Sequence, residues 1–470
     1  MGGPLSSFTP ERSAALAGPE WLVRRRAAAA EGLSGLALPA EAEEIWRYSG
    51  IDGFSLDPFD PAHDVAATAK AVTATVPEAA VTLADRLGPR SALVVSRFGV
   101  VVSVDVAAGT PEGLVRVAGD GPVAVEVPEL SLGDGEPDDA FAVLHDAFVR
   151  DVVVVDVPAA ARLAAPVVIV HLVDELEARA PAVFPHTVVR LGPNAEGGVV
   201  EALAAIDATA GTDRSAGAAL VVPRTDLEVG DGARLAYVNL QLLGAGTTQI
   251  GTQRSRVGRD GAFRSFTVGL GGRYARVRTD SDLEAQGGTS ALLAAYLGTG
   301  QQVHDFRTLQ DHHAPRTESE LLFTGAVADQ ARSVYSGLIR IRHGARRADA
   351  RQTNHNLVLS EGAHADSVPN LDIDENDVRC SHASTVGPID EEQRYYLESR
   401  GIDPATAERL IVHGFFFDIA ARSPFPEVGA WVSEAVQRRL AGRLPADTAP
   451  EPDSTEPAPA GAAGAGAGRG

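Results

Sequence analysis

Gly230-Asp231-Gly232-Ala233-Arg234-Leu235-Ala236-Tyr237-Val238-Asn239-Leu240 couples a glycine-bearing turn to a run of strand-forming residues, and this coupling decides the fold. The same turn chemistry, a polar or acidic residue beside Gly and Ala, returns at Asp260-Gly261-Ala262, His343-Gly344-Ala345 and Glu361-Gly362-Ala363. Short β-branched runs recur around it from Asp151 onward: Val152–Val155, Val167–Val170, Thr187–Leu191, Val199–Glu201, Leu220–Val222, Phe263–Val268, Tyr274–Arg278, Ser333–Arg342 and Asn354–Leu359. Many short strands punctuated by turn signals predict an all-β stack, barrel or sandwich. The spacings are uneven, so no strict repeat exists. Uneven rungs still suit a β-solenoid, in which each rung contacts only its neighbours. A sandwich stays open on pattern alone.

Helical signals flank this region. Thr9-Pro10-Glu11 reads as an N-cap with a first-turn proline, and Pro19-Glu20-Trp21 opens a second helix running to about Glu31. Pro39 begins a short segment containing Glu44-Ile45-Trp46-Arg47-Tyr48-Ser49. Strands are expected at Ala92–Ser96 and Val100–Val106, and Phe141, Leu144, His145 and Phe148 share one face of a helix within Asp138–Arg150. Beyond Pro388, Asp390 can cap a helix over Glu391–Ser399 that stops at Gly401. Asp403-Pro404 opens a helix to about Ala421, with Leu410, Ile411, Phe415 and Ile419 as its expected apolar stripe. A last helix spans about Glu427 to Leu440. The resulting organisation is an N-terminal helical and mixed region, 1–150; a β core, 151–388; a C-terminal helical domain, 389–444; and a Pro/Ala/Gly tail, 445–470, expected to be disordered.

The chain has 470 residues, 44% hydrophobic and 22% charged, which is ordinary for a globular protein. Its net charge of −22 argues against general nucleic-acid binding. No apolar run approaches the roughly 18–20 residues of a membrane span, and no secretory signal is evident at the start. A single cysteine fits a reducing compartment, so a cytoplasmic location is expected. Lys70 is the only lysine and has no glycines just before it, so the chain lacks a P-loop and is not expected to hydrolyse ATP by itself.

That one cysteine, Cys380, lies two positions before His382 in Val378-Arg379-Cys380-Ser381-His382-Ala383-Ser384-Thr385-Val386-Gly387. On a strand both side chains point to one face. Two such ligands do not close a zinc or iron–sulfur site, so further ligands would come from elsewhere, for instance from another chain. The blander readings are a histidine that begins a turn and a cysteine acting as a small buried hydrophobe. His312-His313 on an extended segment would point to opposite faces, which disfavours a shared ion. Arg24–Arg26 reads as a solvated helix face. Glu196 and Glu201 are weak candidates for paired glycosidase carboxylates, since no aromatic sugar platform accompanies them.

Several ordered segments together resemble the SufB/SufD family of iron–sulfur cluster assembly scaffolds, most of all SufD. Gln352-Thr353-Asn354-His355-Asn356-Leu357-Val358-Leu359-Ser360 is similar to the family's Q-x-N-x-N-L-L-L-S run. Pro369-Asn370-Leu371-Asp372-Ile373-Asp374 and Asp377-Val378-Arg379-Cys380-Ser381-His382 resemble P-x-L-E-I-x-x-D-D-V-K-C-S-H-G-A-T, with Ala383 where the family has glycine. Tyr395-Tyr396-Leu397-Glu398-Ser399-Arg400-Gly401-Ile402 resembles the aromatic–Y-L-x-S-R-G-I helix, and Glu44–Ser49 the E-x-W-R-Y-T signature. The resemblance implies a mainly β protein, a right-handed parallel β-helix between N-terminal and C-terminal helical regions. It implies a SufB-like partner along the β-helices and a SufC-like ABC ATPase held by the C-terminal domain. It implies a transient iron–sulfur cluster or iron shared with the partner chain, with His382 as ligand and Cys380 as an interface residue. Partner contacts would fall on Tyr395, Tyr396, Arg400, Phe415, Phe416, Phe417 and Trp431. The chain is then a non-catalytic scaffold. Competing readings are a SufB-type scaffold, which the lone cysteine disfavours, a homodimeric member, and a β-helix carbohydrate-active enzyme.

Overall fold

The computed structural model describes residues 7–61, 76–125, 127, 139–175, 180–205 and 217–441. Lys70 and the tail at 445–470 lie outside the described residues. Between them runs a parallel β-solenoid. Its strands, numbered in chain order, are β1 Val152–Val157, β2 Val167–Leu172, β3 His186–Leu191, β4 Glu196–Ala204, β5 Arg224–Val229, β6 Arg234–Leu242, β7 Thr247–Val257 and β8 Ala262–Gly269. They continue as β9 Tyr274–Leu283, β10 Thr289–Gly298, β11 Val303–His312, β12 Glu318–Val327, β13 Arg332–Ile341, β14 Asp349–Val358, β15 His364–Ile373 and β16 Arg379–Gly387. Odd-numbered strands follow one another in a 12-stranded sheet and even-numbered strands in a 10-stranded sheet. The solenoid alternative to a sandwich is therefore the observed one.

The turn chemistry explains the stacking. Asn194, Gly232, Asp260, Gly287, Arg316 and Arg347 all have positive φ. In each, the backbone N–H donates to the carbonyl of the next turn: Asn194 to Asp231, Gly232 to Arg259, Asp260 to Gln286, Gly287 to Pro315, Arg316 to Arg346 and Arg347 to Asp377. A left-handed residue is needed at every turn, and Gly, Asn and Asp adopt it at least cost. A Cβ at Gly232 would fall 2.4 Å from Asn194 Oδ1, so glycine is required there for space as well. The register shows why no strict repeat is legible. Arg234, Ala262, Thr289, Glu318, Asp349 and Arg379 are successive ladder partners, and the steps run from 27 residues (262 to 289) to 31 (318 to 349).

The α-helices among the described residues are α1 Pro10–Ala14, α2 Glu20–Glu31, α3 Glu78–Arg86, α4 Ala140–Phe148, α5 Glu391–Ser399, α6 Pro404–Ala420 and α7 Pro426–Ala441. Phe8, Trp21, Leu22, Trp46, Phe141, Leu144 and Phe148 pack on the outer side of the odd sheet, against Val152, Val154 and Val188. α3, α6 and α7 cover the outer side of the even sheet, on Val168, Val170, Val200, Val238 and Phe266. Early strands are thus buried on both sides, which is why Val152–Val155 and Val167–Val170 are unbroken apolar runs. The expected boundary at 150 is crossed: Ala92–Arg97 pairs in parallel with β2, and Val100–Val106 pairs antiparallel with Ala92–Arg97.

The Glu44–Ser49 signature is a clasp. Trp46 is fully buried, and the Arg276 guanidinium stacks 3.8 Å from its ring centroid. Arg276 also donates to the Ile45 carbonyl at 2.7 Å, and Arg307 donates to the Arg47 carbonyl at 2.7 Å. Both arginines pair with the fully buried Asp305 at 2.7 Å. Arg26, expected on a solvated face, is 1% exposed instead. It donates to the carbonyls of Leu16, Ala17 and Val149, and burial lowers its pKa to about 10. The stripe expected on α6 is also corrected. Ala407, Val412, Phe416, Ile419 and Ala420 are its buried face, whereas Leu410 is 47% exposed.

Candidate functional site at the open end of the solenoid

β15 and β16 are the last strands of their sheets, so each has one edge without a ladder partner. The even sheet alternates in and out. In β14, Ala350, Gln352, Asn354 and Asn356 are buried, and the residues between them are not. The ladder sets Cys380 opposite Ala350, His382 opposite Gln352 and Ser384 opposite Asn354. Cys380, His382 and Ser384 therefore belong to the inward row, as the two-residue spacing predicts. Among the described residues no strand stacks on them, and His382 and Ser384 are exposed. Three apolar members of the same two rows, Leu371, Ile373 and Val386, are exposed as well, at 38%, 42% and 43%. The rim combines an unsatisfied strand edge, an apolar lining and a histidine.

Beneath it the interior is polar. Gln352 donates from Nε2 to the Tyr335 hydroxyl at 2.7 Å, and that hydroxyl lies 3.1 Å from Thr308 Oγ1. Tyr296 donates to Asn356 Oδ1 at 2.6 Å, and Asn356 donates to Asn354 Oδ1 at 2.6 Å. Ser384 donates to Ser367 Oγ at 2.7 Å, joining β16 to β15 across the rim. In the sequence the Gln352–Asn356 run stands out only as a family marker. Its period of two was the available signal that these amides share a row with His382.

Cys380 is half-buried and packs with Val378 on Ile339, Ile341, Ala345, Ala348 and Ala350. Burial pushes its thiol pKa up, and the Asp349 carboxylate adds to this. A thiol so placed gives little thiolate, the form that binds metal. His382 is the freer donor of the two. Among the described residues, the one group of three ligand-type side chains within 4.8 Å is Asp282, Asp311 and His313, so neither Cys380 nor His382 belongs to such a group. Ala383 lies in regular strand and is absent from the positive-φ residues, so its place makes no demand for glycine.

His312 and His313 do face opposite ways. His312 is buried, with its ring nitrogens 2.8 Å from Thr317 Oγ1 and Ser319 Oγ, and burial lowers its pKa to about 4. Glu201 points inward, fully buried, while Glu196 is outward beside Arg162. The two do not share a cleft, which removes the glycosidase pairing.

The expected partner contacts separate into two groups. Phe416 and Trp431 are 1% and 7% exposed and belong to the core under the even sheet. That burial corrects the expectation for both, since neither offers a surface in this chain. Phe415 is half-buried. Tyr395, Tyr396 and Phe417 are 73%, 57% and 55% exposed, and Arg400 stacks over the Tyr396 ring at 5.0 Å. α5 has no buried residue at all.

A family model described as SUF system FeS cluster assembly, SufBD core domain, matches residues 174–415. Similar proteins include an iron–sulfur cluster assembly SufBD family protein of Mycobacterium tuberculosis, 38% identical over 220 residues, covering 45% of this chain and 55% of that one. SufD of Bacillus subtilis is 32% identical over 218 residues, covering 46% and 50%. A SufBD family protein of Synechocystis is 25% identical over 425 residues, covering 89% and 91%. The chain thus spans about half the length of the first two relatives. No described helix is long and apolar enough to cross a membrane.

Proposed function

Because the chain belongs to the SufBD family of iron–sulfur cluster assembly proteins, we propose that it is a SufD-like, non-catalytic scaffold subunit whose open solenoid end completes a cluster-building site with a partner chain. The observation that carries this reading is the uncovered inward row of β15 and β16, where His382 sits beside exposed Leu371, Ile373 and Val386. Such a rim is satisfied by another chain that adds strands to both edges and covers the apolar lining. A SufB-like chain is the proposed occupant, and it would supply the ligands that His382 lacks. Iron or a nascent cluster is cargo at this junction. His382 would donate a neutral imidazole nitrogen, and Cys380 would contribute mainly to packing.

The helical domain would hold a SufC-like ATPase. Exposed Tyr395, Tyr396 and Phe417 on α5 and α6 are the surface offered, while Phe416 and Trp431 pack α6 and α7 onto the even sheet. The ATP-binding machinery would lie in that partner.

The test is His382→Ala in the complex purified anaerobically from its own host. Native mass spectrometry should find the same subunits as with the unaltered chain, and visible absorption should show that cluster loading is lost. Normal loading in the intact variant complex would refute the ligand assignment. A homodimer without ATPase would refute the proposed partners and favour a second copy at the rim.

A further inference from the structure

The outward row of the odd sheet runs Glu228, Arg256, Asp282, Asp311, Arg340 and Asp372 as successive ladder partners. Charge alternates at every step but one. Asp282 and Asp311 stand directly opposite each other, an arrangement that is destabilising for like charges. The two arginines next to the pair in this row have closer partners elsewhere, and the close cation at Asp311 is Arg342 from outside the row. Arg256 lies 3.7 Å from Glu284, and Arg340 is 3.0 Å from Asp372 but 3.9 Å from Asp311. At this step His313 turns outward. Its Nε2 is 3.3 Å from Asp282 Oδ1 and 3.5 Å from Asp311 Oδ1.

We propose that Asp282, Asp311 and His313 form a binding site for a first-row divalent cation of the Fe2+, Mn2+ or Zn2+ type. Two ligands of one such ion, each bonded at about 2.1 Å, lie about 3–3.5 Å apart, which is the spacing of the imidazole from both carboxylates. All three donor atoms lie within 4.8 Å of one another. One imidazole with two carboxylates suits borderline divalent ions better than Cu(I), which prefers sulfur. The donors stand on rigid elements: Asp282 and Asp311 are ladder residues, and the His313 N–H is fixed to the Leu283 carbonyl at 3.1 Å. The side chains of Asp282 and His313 are about a third exposed, 30% and 31%, so an ion can reach them from solvent.

Arg342 is the competing cation. Its Nε and Nη2 donate to the two oxygens of Asp311 at 2.9 and 2.8 Å, and its side chain is 49% exposed. An incoming ion takes up Asp311 Oδ1 as the guanidinium swings toward solvent. The site shares no residue with the rim at His382 and does not depend on the cluster-scaffold reading.

The experiment is anaerobic equilibrium dialysis of the full, metal-stripped chain against Fe2+, and separately against Zn2+, with bound metal measured by elemental analysis. One equivalent should bind to the unaltered chain and should be lost in Asp282→Asn and in His313→Ala. Arg342→Ala should bind several-fold more tightly, and the gain should vanish when His313→Ala is added to it, which binding by a misfolded chain would not do. Undiminished binding in both Asp282→Asn and His313→Ala would overturn the site. So would failure of both the unaltered chain and Arg342→Ala to bind either ion.

Discussion

Gln352 and His382 are partners in the last ladder of the even sheet, yet Gln352 is 1% exposed and His382 lies open to solvent. Both belong to the inward row. They differ only in that β16 covers Gln352, and among the described residues nothing covers β16. Stability and function should therefore separate between them. Gln352→Ala removes a buried donor to Tyr335 and should cost about 1–3 kcal/mol. His382→Ala should change stability by less than about 0.5 kcal/mol. Denaturant midpoints of the two variants check this, and equal losses would show that His382 is structural.

Glu201 is buried among His171 at 3.0 Å, Thr225 at 3.0 Å, Thr187 and the Tyr237 hydroxyl. Burial works to raise its pKa, but the hydrogen bonds from His171, Thr187 and Tyr237 outweigh it and hold the carboxyl below its ordinary value. A depressed carboxyl stabilises the fold at pH above its unfolded value near 4.3, and that contribution is lost as pH falls through the lower folded value. Glu201→Gln should cost about 3 kcal/mol at neutral pH and flatten the acid limb of a melting-temperature profile. An unchanged profile would show that the network does not depend on the charge.

Arg276→Ala should free the N-terminal clasp. It deprives buried Asp305 of one partner and Trp46 of its stacked cation, for a loss of about 3 kcal/mol. Limited proteolysis should then cut between residues 31 and 61 at concentrations that leave the unaltered chain whole. Equal resistance would mean that Arg307 alone secures the segment.

Phe416 and Phe417 are adjacent but opposite in role. Phe416→Ala should cost about 3–5 kcal/mol as a core truncation, and Phe417→Ala less than about 0.5 kcal/mol. If the exposed ridge docks an ATPase, co-purification of that subunit should fall with Phe417→Ala while the melting temperature holds. Full recovery of the ATPase with Phe417→Ala would remove this residue from the contact.

Helix ends were legible in the sequence because capping is local. Asp390 and Asp403 each accept a backbone N–H at the start of a helix, as their type and position imply, whereas the cap at Asp139 went unread beside Asp138. Strands were legible where side chains are apolar. β7 and β11 escaped because their inward rows carry Gln253 and Ser255, and His304, Thr308, Gln310 and His312, which hide the alternation. β10 and β12 escaped for another reason. Their Ala, Leu and Glu content is helix-prone, and tertiary packing overrode it. The turn at Arg316 gave no glycine signal, and at 343–347 the glycine is Gly344 while Arg347 also takes positive φ without being one. At the rim, the spacing of Cys380 and His382 placed both on one row. The Asp282–Asp311 pairing across strands 29 residues apart (282 to 311) depended on register, which no local pattern specifies.

The reversal of direction at the N-terminal end sets how many neighbours this rod can take. There the edges are antiparallel, Val100–Val106 on one sheet and the four-residue Val115–Ala118 on the other, so that end does not reproduce the parallel edge left open by β15 and β16. A rod whose two ends matched could add copies head to tail without limit and grow into a filament. With the proposed mate seated on the open rim, the opposite end would offer no matching parallel edge for a further copy, and growth along the solenoid axis would stop at a pair.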